Sequence, residues 1–148
     1  MDTYYWPYRA EIKSEIDRLV GQRESVLHLS VHSFTPVLDG KKRVADIGLL
    51  YDPRRRGESL FCRHWKRQLG QVAPLLRVRL NYPYSGRSDG FTTHLRSLFG
   101  EQVYLGIELE VNQRFALGPG ETWLQVRKAI VNSLVFALEE FRGADRAS

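Results

Sequence analysis

The sequence predicts an α/β layer fold in one domain spanning 1–148. Three observations point there. Segments with apolar residues at helical spacing take turns with segments that alternate apolar and polar residues. The joints between them are short and rich in Gly, Pro, Asn and Asp. The C-terminal segment carries one unbroken apolar stripe, suited to lie on a sheet.

Tyr8, Ile12, Ile16 and Leu19 recur at helical spacing; Pro7 is tolerated in a first helical turn and Gly21 offers a stop. From Ser25, Leu27, Leu29 and Val31 alternate with Val26, His28, Ser30 and His32, which predicts a strand ending at Ser33-Phe34-Thr35-Pro36. A second strand is expected from Val44 to Tyr51, entered through Asp39-Gly40 and closed by Asp52-Pro53. Phe61, Trp65 and Leu69 step by four as a second helix that Gly70 would end, and Leu75 to Leu80 reads as a third strand. Asn81-Tyr82-Pro83-Tyr84-Ser85-Gly86 is dense in turn formers. A short helix follows with Phe91, Leu95 and Leu98 on one side, and Val103 to Val111 is the fourth strand. After Pro119-Gly120, Thr122 and Gln125 have capping-box spacing, and Trp123, Val126, Ile130, Leu134, Ala137 and Phe141 form a stripe that ends near Gly143.

Composition narrows the functional classes. Hydrophobic residues make up 43% of the chain, with three Trp, seven Tyr and seven Phe, enough for a packed core. No apolar run approaches the roughly 18 residues that cross a bilayer, and the N-terminus lacks the order of a secretion signal, so a cytoplasmic location is expected and a membrane partner is not. The lone Cys62 excludes an internal disulfide framework. A net charge of +5 raises a nucleic-acid reading. The basic clusters are modest, however: Arg54-Arg55-Arg56 in a turn, and Arg63, Lys66 and Arg67 on a helix. They read as solvated faces, and no nucleic-acid partner is expected.

Three places carry residues capable of chemistry. His32 leaves the first strand on the face it shares with His28; a neutral imidazole there can ligate zinc, with Ser33 to orient it, or can be an ordinary hydrogen-bonded strand end. In Gly106-Ile107-Glu108-Leu109-Glu110-Val111 both carboxylates fall on one strand face. A strand inside an α/β sheet is usually covered on both sides, so two acids on it need partners or a cleft; an exposed surface is the alternative. The Asn81 to Gly86 loop can orient a bound carbonyl, or be a plain turn. Cys62 and His64 sit at i, i+2 on a helix and point different ways, so they read as packing rather than metal ligands.

Taken together and in order, Val31-His32-Ser33-Phe34-Thr35-Pro36, the RVADIGLLYD stretch from Arg43 to Asp52, the 81–86 loop and Gly106-Ile107-Glu108-Leu109-Glu110-Val111-Asn112 resemble the N-formylglutamate amidohydrolase family. The resemblance implies a phosphorylase/hydrolase-like three-layer fold akin to zinc carboxypeptidases, a mixed sheet flanked by helices. It implies Zn2+-dependent hydrolysis of the amide bond in a small acidic N-acyl amino acid such as N-formylglutamate. It places His32 as a metal ligand, Glu110 (with Glu108 as the weaker match) as the catalytic acid-base, and Arg43 and Asn81 as substrate-binding residues. Arg suits that task because its planar fork grips a carboxylate with two hydrogen bonds.

Members of the family begin with a strand, a His-containing metal motif and an Asn-Arg pair that precede the region matched here. The resemblance therefore implies an N-terminally incomplete domain with one assigned ligand, where a catalytic zinc usually takes three. The same gap predicts unpaired strand edges and exposed apolar surface. A non-catalytic ligand-binding or interaction module is the alternative reading.

Overall fold

The computed structural model describes residues 2–88 and 90–146. Helix α1 runs over Asp2–Gly21 and leads into β1, Val26–Phe34. A small ribbon follows, β2 at Val37–Leu38 and β3 at Lys41–Lys42, turning at Asp39 and Gly40. Both turn residues have positive φ, 50° and 71°, the pattern a two-residue hairpin turn requires. Next come β4 (Ile47–Leu50), α2 (Arg56–Val72), β5 (Val78–Leu80), α3 (Gly90–Leu98), β6 (Tyr104–Asn112) and α4 (Gly120–Arg146). Among the described residues no helix is long and apolar enough to cross a membrane.

The main sheet is mixed, in the order β1-β6-β4-β5. Strand β6 lies parallel to β1 and antiparallel to β4, and β5 runs parallel to β4. Its alternation decides what each face does. Ile107, Leu109 and Val111 point to one side, where they pack with Ile47 and Leu49 against Phe61, Trp65 and Leu69 of α2 and Val126, Ile130 and Ala137 of α4. Trp65 is fully buried there, and its indole Nε1 donates to Ser133 Oγ at 3.0 Å, so the ring's polar atom enters the core with a partner. Burying each such large apolar side chain contributes about 1.5–3 kcal/mol. On the other side Tyr104 joins Ile16 of α1 and Leu95 of α3 in a smaller cluster. Helices thus flank both faces, but α1 and α3 cover only the part of the second face near the start of β6.

The boundaries shift from expectation where tertiary packing overrides local signals. Pro7 lies inside α1, which begins at Asp2. Gly70 does not end α2, which continues to Val72. The second and third strands shorten to Ile47–Leu50 and Val78–Leu80, with Leu75 almost wholly exposed in the turn before β5. Helix α4 starts at Gly120, so Thr122 falls within its first turn rather than capping it, and Gly143 does not stop it. Of the three turn arginines, Arg54 and Arg56 are exposed as expected but Arg55 is not. Its guanidinium donates to the carbonyls of Arg96, Phe99 and Tyr104, tying the start of α2 to the end of α3.

Candidate active site

The uncovered part of the second face is a cavity of about 210 Å³ lined by His32, Tyr84, Ser85, Ser88, Glu108 and Glu110. The sheet register builds its floor. His32 on β1 is the direct partner of Glu110 on β6, and Ser30 of Glu108. Paired residues on neighbouring strands point to the same face, so an imidazole and a carboxylate nearly eighty residues apart in sequence stand side by side. Both acids are buried, Glu108 at 4% and Glu110 at 5% relative exposure, and both line the cavity. The strand face carrying them is a cleft rather than an open surface.

The Asn81–Gly86 loop forms the opposite wall. It crosses the sheet directly over Gly48, the β4 partner of Glu110; a Cβ there would lie 1.9 Å from the Tyr82 carbonyl oxygen, so only glycine lets the loop come this close. On its return the loop lies against Tyr51, where a Cβ on Gly86 would stand 2.2 Å from the Tyr51 amide nitrogen. Asn81 holds the bend. Its Oδ1 accepts from the backbone N–H of Tyr51 at 3.0 Å and of Gly86 at 3.1 Å. Asn81 thus fastens the loop through its Oδ1 and is not among the residues lining the cavity; its φ of 49°, which Asn tolerates well, suits the bend.

Arg43 is not among the residues lining the cavity but bonds to one of them, Tyr84. Its guanidinium lies 5.7 Å from the Phe34 ring centroid and 5.1 Å from that of Tyr84, and its Nη1 donates to the Tyr84 hydroxyl at 3.1 Å. Stacked in this way, the cation is held without forming an ion pair with any carboxylate among the described residues. Burial pushes the Glu110 carboxyl above its usual range, with His32 and Arg43 pulling the other way but not enough to cancel it. Glu110 Oε2 is buried with no hydrogen-bond partner among the described residues.

His32 is oriented by a different serine from the one expected. Its Nε2 is hydrogen-bonded to Ser30 Oγ at 2.9 Å, whereas Ser33 accepts a hydrogen bond from Gln113. The reason is the pleat: residue i−2 shares a face with i, and residue i+1 does not. One imidazole and an acid with an oxygen left over fit part of a catalytic zinc set. Among the described residues no group of three His, Cys, Asp or Glu side chains could hold a metal ion, so the remaining donors are not found among them.

A buried ion pair underlies both walls and escaped the sequence reading. Glu58 of α2, fully buried, accepts from Arg96 Nε and from the Gly106 amide at 3.0 Å each, and from the Asp52 amide at 2.8 Å. Arg96 in turn donates to the carbonyls of Gly86 and Gly106. One pair therefore fastens the end of the loop and the segment of β6 just before its two acids. The available signal was Glu58 itself, a carboxylate in line with Phe61, Cys62, Trp65 and Leu69 on the buried face of α2. Nothing in the sequence marked Tyr84, Ser85 or Ser88 individually.

The sequence profile of the N-formylglutamate amidohydrolase family matches residues 1–117. The chain belongs to that family. A gene product of Agrobacterium tumefaciens has a similar structure, with a TM-score of 0.72 and 25% identity over 93% of this chain and 52% of that one. The N-formylglutamate amidohydrolase of Ralstonia eutropha resembles it in fold, at a TM-score of 0.68 and 19% identity over 95% of this chain and 54% of that one. No curated protein matches the chain. The chain spans about half the length of the solved structures it matches.

Proposed function

We propose that the chain contributes the acid-base and substrate-facing part of an amidohydrolase site that cleaves the amide bond of a small N-acyl amino acid such as N-formylglutamate. The observation that carries this reading is the pairing of His32 with Glu110 on the floor of a cavity, in a chain whose family profile matches over 1–117. His32 would be one ligand of a zinc ion, completed by donors other than the described residues. Bound zinc supplies polarisation of the acyl carbonyl and a more acidic water.

Glu110 has the right chemistry for moving a proton. Its raised pKa brings it nearer to neutrality than a surface glutamate, which favours both accepting a proton from attacking water and passing it to the departing amine. Glu108, two residues earlier on the same face, lines the same floor. Arg43, bonded to Tyr84 of the lining, offers a fixed cation to a substrate carboxylate. The cavity suits a substrate of a few heavy atoms rather than a peptide.

Formate release from N-formylglutamate, followed with zinc supplied, tests the proposal. Glu110→Gln is expected to lower the rate by roughly 10²–10⁴-fold, the usual contribution of a positioned acid-base. His32→Ala should lower zinc retention as well as rate. A wild-type protein that holds zinc and yet neither releases formate nor binds N-formylglutamate would overturn the reading.

A further inference from the structure

A second cavity, of about 420 Å³, opens between α1 and α3 and is lined by Trp6, Arg9, Lys13, Gly90, Phe91 and His94 among others. Among the described residues it shares no lining residue with the cleft; Ser88 borders the one and Gly90 the other. We propose that it is a binding site for a flat aromatic anion, an aryl carboxylate or a compound of the same chemistry.

Arg9 carries the argument. Its guanidinium carbon lies 4.4 Å from the centroid of the Phe91 ring and 4.9 Å from that of Tyr5, and its Nη1 donates to the Tyr5 hydroxyl at 2.8 Å. Two rings and one hydroxyl thus hold the cation, and among the described residues no carboxylate forms an ion pair with it. Its Nε is buried with no hydrogen-bond partner among the described residues. A buried charged donor without an acceptor is unfavourable, and an anion entering the cavity would supply one. Among the described residues no Asp or Glu lines the cavity, while Lys13 and His94 add basic groups to its wall. Lys13 is paired with Asp17 at 2.6 Å, so among the described lining residues Arg9 is the cation without an ion-pair partner.

The apolar part of the wall sets the rest of the ligand. Trp6 lines the cavity although 61% of its surface is exposed, and Phe91 faces it from α3. A bare inorganic anion would leave these rings in water; an aromatic acid would cover them while its carboxylate met Arg9. A volume of this size takes a one- or two-ring molecule.

Calorimetric titration of the 148-residue chain with 2-naphthoate is the test, with 2-naphthylmethylamine and acetate as controls for charge and ring. Saturable binding of naphthoate, at least tenfold tighter than either control, is expected. Arg9→Gln and Trp6→Ala should each weaken it at least tenfold, and Lys13→Gln less. The cleft variant His32→Ala should bind naphthoate like wild type, which separates this site from the cleft and makes the result independent of the proposed hydrolysis. Circular dichroism checks that each variant folds; should Arg9→Gln fail to fold, Trp6→Ala decides the matter. No saturable binding, equal binding of the amine or of acetate, or unchanged affinity in the folded variants would overturn the assignment.

Discussion

The two faces of β6 share one backbone and differ in everything their side chains do. Ile107, Leu109 and Val111 meet α2 and α4 in a closed core, while Glu108 and Glu110, one residue out of phase, look into a cavity walled by a loop. The first face gains free energy from burial. The second loses some, because it holds buried carboxylates, one of them with an oxygen that no described residue satisfies. The contrast teaches that the strand's stability and its chemistry are separable: the apolar face holds β6 in place, and that rigidity lets the acidic face keep an arrangement that would not assemble alone.

The largest expected effect comes from breaking the apolar face. Ile107 is wholly buried among Phe61, Trp65 and the residues of α4, so Ile107→Ala should destabilise the protein by about 2–5 kcal/mol through lost transfer energy and the cavity left behind. Urea denaturation checks it. A loss well under 1 kcal/mol would mean that the α2/α4 layer is not what holds the strand.

A smaller effect, aimed at the other face, is expected of Gly48→Ala. The new Cβ would occupy the position of the Tyr82 carbonyl, forcing the 81–86 loop away from Glu110. The cost should be roughly 1–3 kcal/mol, the range typical of overpacking. Trp65, on the far side of the sheet, should keep its fluorescence while the amide resonances of residues 81–86 shift. A variant that moves both regions together would contradict their independence.

The same division explains what could be read from the sequence. That Glu108 and Glu110 share a face follows from the period-2 pattern of β6, and the stripe of α4 follows from 3.6-residue spacing, because both are properties of one segment. The placement of His32 beside Glu110 is not: it depends on the register between β1 and β6 and on β6 lying in the middle of the sheet, which no local pattern encodes. Asn81 was legible as a turn residue, but whether its amide faces a ligand or two backbone N–H groups is fixed by the loop's passage over Gly48, a contact between distant segments. The Glu58–Arg96 pair was hidden for the same reason, since Arg96 lies on α3, whose packing against β6 a single helix pattern does not reveal.

The finest discrimination between the faces is a matter of pH. Folded Glu110 holds its proton to higher pH than it does in the unfolded chain, because burial penalises its charged form. Between the ordinary carboxyl value of 4.5 and that raised value, the folded state binds more protons than the unfolded one, so stability falls as pH rises through the window and levels off above it. Asp52 behaves oppositely. The hydrogen bond from Arg54, opposed by burial, is the main cause holding it down at about 2, so its stabilisation is present above its usual 3.8 and fades as pH drops toward 2. Because the two windows do not overlap, they can be resolved. Glu110→Gln keeps the side chain's shape but cannot ionise, so it should match wild type near pH 4 and exceed it in stability at pH 7 to 8, even as the proposed hydrolysis is lost. Urea titrations of both proteins across this range measure the gap. Parallel profiles would show that Glu110 is solvated in the folded protein and that the acidic face is not held at a cost to stability.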